Sequence, residues 1–527
     1  MAARPEHLLF LTGRLAEPGL RRILTELAPC PFSWEVRDLG MQVAGLMTAD
    51  MLRRRLQATD VADFDRIIVP GRCRGDLESL AAQIKRPVVR GPDEMKDLPR
   101  YFGRGRKAPD LSRQDVLIFA EIVDAPQQGN IDLIVARALR YRADGADVID
   151  LGCLPDTPFP HLEETVQALK AAGLKVSIDS LAVDDLRRGA RAGADYLLSL
   201  HEGTLWLADE VDATPILIPQ RHGDLASLIR AARTLQARGR AFFADAILDP
   251  IHFGFTDSLV RFRALREALP DAALMMGVGN LTELTDADTA GINALLFGII
   301  SELRINAVLA TEVSPHCASA VREADAARRM MFAAREEGSL PRDISDRLLT
   351  LRARRPFPDT AAEIAELARH VKDPNFRIQI SREGVHAYNR DGLRTAQDPF
   401  ALWPQLQLED DAGHAFYMGV ELARAHTAWL LGKRYEQDED LDWGAALPTA
   451  TQDLSRQKAG GLTLTHQLRE AKKPTAGERE AARGQREAQA NKGEAEPDAR
   501  EAKPIAREAK AIAREAKPLA ADKTDPP

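Results

Sequence analysis

The chain has 527 residues, of which 45% are hydrophobic and 28% charged, and its formal net charge is -8. That length exceeds one ordinary core, so two to four domains of a soluble globular kind are expected. The acidic balance argues against nucleic acid as a main partner, because phosphate binding needs a net basic face.

In chain order, the first hundred or so residues read as a small α/β unit, 1–108. Strands are expected at His7–Gly13, Ser33–Asp38, Arg66–Gly71 and Pro87–Val89, with helices at Pro18–Leu27 and Thr48–Ala58. Strands alternating with helical patterns favour a parallel sheet. The basic, glycine-rich stretch Phe102–Lys107 reads as a linker. The loop Gly71–Asp76 precedes a helix and is a candidate anion site at that helix's N-terminus.

Over 115–336 the βα alternation can be counted. Strands are expected at 117–122, 147–151, 175–179, 194–199, 214–218, 243–248, 273–277 and 306–310. Helical patterns at 130–143, 161–172, 225–238, 257–268 and 286–302 lie between them. Eight strands with intervening helices over this length predict a (β/α)8 TIM barrel. A small α+β unit follows over 359–445, with a helix at Thr360–His370, strands at Phe376–Ile380 and Gly384–Tyr388, and a helix at Gly419–Leu431.

From 449 to 527 the chain is low-complexity. Three tandem seven-residue copies run from Arg500 to Ala520, with one large apolar residue in each and Pro504 and Pro518 among them. Those prolines break a coiled coil, so a disordered tail is expected. The cysteines at 30, 73, 153 and 317 show no zinc or disulfide spacing, and no metal site of protein side chains is expected. No apolar run suits a bilayer and residues 1–6 carry no signal-peptide pattern, which makes a cytoplasmic protein the expectation.

Three strands end in aspartate. Gly145–Gly152 delivers Asp150 before a glycine turn, Lys175–Ser180 delivers Asp179, and Ala246–Pro250 delivers Asp249. In a parallel β/α protein the strand C-termini converge on one mouth. Three acceptors aimed there suit one small, donor-rich ligand.

These strand ends resemble those of the pterin-binding family, which includes dihydropteroate synthases and folate-dependent corrinoid methyltransferases. The matching segments are Gly145-Ala-Asp-Val-Ile-Asp-Leu-Gly152, Val176-Ser-Ile-Asp-Ser180, Leu248-Asp-Pro250 and Ala192-Gly-Ala-Asp195. The layout of three units also resembles dihydropteroate-synthase-related proteins of tetrahydromethanopterin biosynthesis. The resemblance implies a transferase joining a dihydropterin-methyl diphosphate to an arylamine. Asp249 would take the amino-pyrimidine edge, Asp179 the other side of the ring, and Asp150 the floor. Mg²⁺ would accompany the diphosphate substrate, and a homodimer or pathway enzymes would be the protein partners.

Several positions depart from the synthase pattern. Glu121 stands where an asparagine is expected, and Leu198-Ser199 replaces an Asn-Asp pair. Gly277–Thr282 replaces Ser-Arg-Lys, and Ala310-Thr311-Glu312 replaces an Arg-x-His. Asn280 is similar to the methyltransferase branch, so methyl transfer is an alternative, as is a non-catalytic pterin-binding scaffold. The candidate substrate-binding residues are Asp150, Asp179, Asp249, Asn280, Ser199 and Glu121, with no catalytic residue assigned. Glu121 and Glu312 would repel a diphosphate unless a metal intervened, and Arg221, His222 and His252 are candidate sources of positive charge. His316 near the last strand, Cys153, and the pair His414 and His426 are weaker candidates, each with a structural role as the stronger reading.

Overall fold

The computed structural model describes residues 5–41, 44–92, 95–104, 109–153 and 157–448. The chain divides into two units, 1–461 and 462–527, and every described residue lies in the first. The expected tail and part of the expected linker lie outside the described residues.

Four strands open the chain: β1 (Glu6–Thr12), β2 (Phe32–Asp38), β3 (Arg66–Val69) and β4 (Val88–Arg90). They form a parallel sheet in the order β2-β1-β3-β4. The run Leu8–Leu11 is buried on both faces, as a sheet covered by helices on each side requires.

The next eight strands are β5 (Leu117–Ile122), β6 (Val148–Gly152), β7 (Lys175–Asp179), β8 (Tyr196–Leu200), β9 (Thr214–Leu217), β10 (Phe243–Ala244), β11 (Ala273–Gly277) and β12 (Ala307–Thr311). They close into one parallel barrel, with β12 pairing β5. This is the TIM barrel the periodicity predicts. Its helices pack a continuous apolar layer against the outer strand faces, because successive strand residues point to opposite faces. Phe119, Val148, Leu198, Ile216, Met275 and Ala307 fill the inside.

One strand is shorter than its apolar run suggests. The expected 243–248 is strand only at Phe243–Ala244. The Asp245 carboxylate accepts from the Ile247 N–H at 2.7 Å, and Ile247 holds a left-handed φ of 65°. A local turn therefore replaces the ladder, and Asp249 sits on an irregular segment beyond the strand.

A third sheet is antiparallel: β13 (Arg377–Ser381), β14 (Gly384–Asn389) and β15 (Gly392–Ala396), with Ile378 opposite Ala387. The helix Ala412–Leu431, longer than the apolar pattern suggests, covers it through Met418, Leu422 and Ala425. An Arg74–Glu439 pair at 2.7 Å ties the C-terminal segment to the first sheet's loop. Among the described residues no helix is long and apolar enough to cross a membrane.

Candidate acidic site at the barrel mouth

The inward faces of β5 and β6 change character along their length. Phe119 and Val148 are apolar, and two residues on, at the same face, stand Glu121 and Asp150. Register pairs Glu121 with Asp150, Asp150 with Ser177, and Gly152 with Asp179. Asp179 thus lies on the same face as Ser177, one layer nearer the mouth. One carboxylate oxygen from each of Glu121, Asp150 and Asp179 lies within 4.8 Å of the others.

Gly152 makes this approach possible. A Cβ there would stand 2.6 Å from Glu121 Oε1 and 3.2 Å from the Val123 backbone. Ser199 reaches the group through a break in the β8–β9 register between Leu197 and Leu200, where its φ is 78°. Its hydroxyl donates to Asp179 Oδ1 at 2.7 Å. A bulge re-aims a side chain in this way.

The electrostatics are those of acids without counter-charge. Burial, then Asp179 and Glu283, push the Glu121 carboxyl up to about 7. Burial, then Asp179 and Glu121, hold Asp150 well above the carboxylate range, eased only by the nearby Ser177 hydroxyl. Ser177 stops short of hydrogen-bond geometry, and both oxygens of the fully buried Asp150 accept no hydrogen bond. Asp179 is raised by burial against the opposing bond from Ser199. A cavity of about 740 Å³ opens on this wall, lined by Glu121, Gly152, Asp179, Ser180, Asp185 and Ser199 among others. No lysine or arginine is among its described lining residues.

Asp249 is built differently. Burial would raise its carboxyl, but the Arg261 and His222 bonds outweigh that and hold it below the usual range. Arg261 donates to Oδ2 at 2.7 Å, and His222 Nε2 meets Oδ1 at 2.7 Å. Asn280 donates to the Leu248 carbonyl at 2.8 Å and so braces the turn that presents Asp249. Between the two groups lies Asp245, whose enclosed carboxyl burial pushes up to about 7, and which feels both Asp179 and Arg261.

The structure therefore gathers Glu121, Asp150, Asp179 and Ser199, and places Asn280 behind Asp249. Sequence reasoning missed Asp245, Asp185 and Arg261. Arg261 follows Asp249 by twelve residues, a spacing that means nothing until the intervening turn is known. Glu121, Asp150 and Asp179 are each expected at the mouth, but their approach to within 4.8 Å of one another follows from register across three strands and from no local spacing.

Several weaker candidates take structural places. Glu312 does not face a ligand as expected; its side chain is enclosed, paired with Arg140 at 2.8 Å and accepting from the Val321 N–H. The candidate anion site at Gly71–Asp76 is self-capped, because the Asp76 carboxylate accepts from Ser79 N, while Arg72 and Arg74 pair with Glu436 and Glu439. His316 Nε2 bonds the Thr282 carbonyl. Burial drives the Cys153 thiol far up, which leaves it un-ionised. His414 and His426 lie on one helix, twelve residues or roughly 18 Å apart, too far to share an ion. Arg221 and His252 are exposed.

Residues 6–93 match DUF6513, described as a family of unknown function. The chain is 31% identical over 531 residues to the uncharacterized protein MJ0107 of Methanocaldococcus jannaschii, an alignment that covers 82% of this chain and 98% of that one. Among solved structures, dihydropteroate synthase of Yersinia pestis with a sulfonamide drug is similar at 16% identity and a TM-score of 0.35, over 43% of this chain and 96% of that chain. The Thermus thermophilus enzyme in complex with 6HMPPP is similar at 19% identity and a TM-score of 0.32, over 44% and 95%.

Proposed function

Starting from a chain that belongs to one family with the Methanocaldococcus jannaschii protein, we propose a pterin-binding enzyme of the dihydropteroate synthase type. It would join a dihydropterin-methyl diphosphate to an arylamine, in tetrahydromethanopterin or folate-type cofactor synthesis. The observation that carries the reading is the acceptor-rich mouth. The cavity wall holds Glu121, Asp179, Asp185 and Ser199 with no described cation, and it suits a heterocycle that presents N–H donors.

Asp249 supplies the natural fork for the amino-pyrimidine edge, because a carboxylate accepts two parallel N–H bonds. Arg261 keeps it ionised and oriented from behind. The His222 side chain is 64% exposed, and it is the partner a ring would displace. Asp179, oriented by Ser199, would accept from the ring's other side. Carboxylates so placed also stabilise the positive charge that develops at the pterin methylene as diphosphate leaves. The leaving group itself meets an acidic wall, so the reading includes Mg²⁺ carried with the substrate. Oxygen-only donors such as these carboxylates fit a hard cation.

The test is a fluorescence titration of the full chain with 6-hydroxymethylpterin, repeated with Asp249→Asn and Asp179→Asn. Each substitution is expected to weaken binding at least about tenfold, the loss of one charge-assisted bond. Unchanged affinity in both would overturn the site assignment. The missing lining cations favour a second reading, pterin binding without condensation. Diphosphate release with an arylamine present selects the first, and tight binding without release selects the second. The methyl-transfer reading rests on Asn280, whose amide is already engaged by the Leu248 carbonyl.

A further inference from the structure

We propose that Glu121, Asp150 and Asp179 form a binding site for one hard divalent cation on the inner wall of the barrel mouth. One oxygen from each lies within 4.8 Å of the others. Opposite ligands of a cation with metal–oxygen bonds of about 2.3–2.6 Å stand about 4.6–5.2 Å apart. The oxygens are therefore already at the scale of a Ca²⁺-sized ion. Mg²⁺, with bonds of about 2.0–2.1 Å, needs them slightly closer.

An independent observation points to a ligand. Asp150 is 0% exposed and neither of its oxygens accepts a hydrogen bond. Buried polar groups are almost always partnered, and a buried carboxylate is costly to leave unpaired. No hydrogen bond joins Asp150 to Glu121 or Asp179, and the charges that its carboxyl meets, Asp179 and Glu121, are themselves acids. A cation shared by the three carboxylates supplies the partner that Asp150 lacks.

The surroundings fit an ion rather than an accident of packing. Gly152 clears the space that Glu121 occupies. The Ser199 hydroxyl orients Asp179 from outside the group, the kind of supporting bond that fixes a metal ligand. The cavity leaves one side open, where water or ligand oxygens complete the coordination that carboxylates alone do not. An all-oxygen donor set selects Mg²⁺, Mn²⁺ or Ca²⁺ over Zn²⁺ or Cu²⁺. Any role of this ion toward a diphosphate rests on the proposed pterin chemistry; its binding does not.

The test uses the full chain, stripped of metal with EDTA and titrated with Mn²⁺ alone, free Mn²⁺ being read by electron paramagnetic resonance. One saturable site is expected, from which Ca²⁺ displaces the probe. Glu121→Gln and Asp150→Asn should each weaken Mn²⁺ binding at least about tenfold, with circular dichroism checking the fold. Should Asp150→Asn fail to fold, the half-buried Glu121→Gln decides the matter. An exposed acid elsewhere, changed as Asp209→Asn, should leave binding as it is. Absence of saturable binding, or wild-type affinity in Glu121→Gln, overturns the proposal. No pterin enters the assay, so its outcome is separate from that of the pterin titration.

Discussion

Arg328 offers the sharpest test of how the barrel is closed. It lies on the helix Ala320–Glu336 that follows β12, and only 3% of it is exposed. Its guanidinium donates to the Val116 carbonyl at 2.6 Å, the Gly145 carbonyl at 2.9 Å and the Asp147 carboxylate. Nε and Nη2 both reach Asp325 Oδ1, at 2.9 and 2.7 Å. One side chain thus joins the entry to β5, the turn before β6 and the last barrel helix. Gly145 itself, at φ 113°, leaves room for Asp325, since a Cβ there would stand 2.6 Å from the Asp325 Cβ. Removing one partner of a buried ion pair costs about 3–5 kcal/mol. Here Asp147 keeps the Ile118 N–H at 2.9 Å and Asp325 keeps Arg329 at 2.8 Å, so neither acid is stranded. The expected loss for Arg328→Met is therefore at the lower end, about 3 kcal/mol. Urea denaturation should show it as a lower midpoint at an unchanged slope. Arg328→Lys keeps the charge without the fork and should recover less than half. A loss under about 1 kcal/mol in Arg328→Met, the size of an ordinary surface effect, would refute this account of closure.

Other expectations follow from single positions near the mouth. Asp245 has a folded pKa of about 7, above an unfolded value of about 4, so the folded chain holds a proton that the unfolded chain releases. Stability is then fullest below about pH 4 and falls as pH rises toward 7, by on the order of 2–4 kcal/mol. Asp245→Asn should remove that share of the slope in metal-free protein, matching wild type near pH 4 and exceeding it near pH 8, while Glu121 and Asp150, raised in the same way, keep the rest; parallel thermal-midpoint curves would refute it. Gly152→Ala places a methyl 2.6 Å from Glu121 Oε1 and should cost about 1–3 kcal/mol by overpacking, with no loss in thermal denaturation counting against the close approach. Ser199→Ala and Ser199→Gly both lose the bond to Asp179, but glycine relieves the left-handed φ of 78°. The glycine variant should be the more stable of the two by about 1 kcal/mol; the reverse order in chemical denaturation would contradict the strained geometry.

Much of the barrel is legible in the chain because its strands are apolar runs with turn signals at their ends. Asp179 ends its strand as expected, whereas Asp150 stands two residues inside the end of β6; period-2 alternation carries both to the face that also holds Phe119 and Val148. The limits are physical too. Ala246-Ile247-Leu248 is as apolar as a strand, but the Asp245 side chain captures a backbone N–H and ends the ladder four residues early. A competing side-chain bond of that kind has no signature in hydrophobicity. β15, with Gly392, Arg394 and Thr395, alternates too weakly to stand out and exists because β14 pairs with it. The Arg261 and His222 pairs on Asp249 depend on loop geometry, which no local spacing encodes.

A closed barrel is a ring, and a ring yields first where its links are fewest. β10 contributes only Phe243 and Ala244 to the ladder, against four to six residues from each of the other seven strands. The circumference therefore has a seam, and Asp249 hangs from its edge, while Glu121, Asp150 and Asp179 stand on the firmly laced strands. Anything gripped by both groups would act as a clasp across that seam. Amide exchange around 243–249 should accordingly be the fastest within the barrel wall and the most slowed on ligand addition. In this fold, recognition at the mouth and the tightening of the barrel itself would be one event.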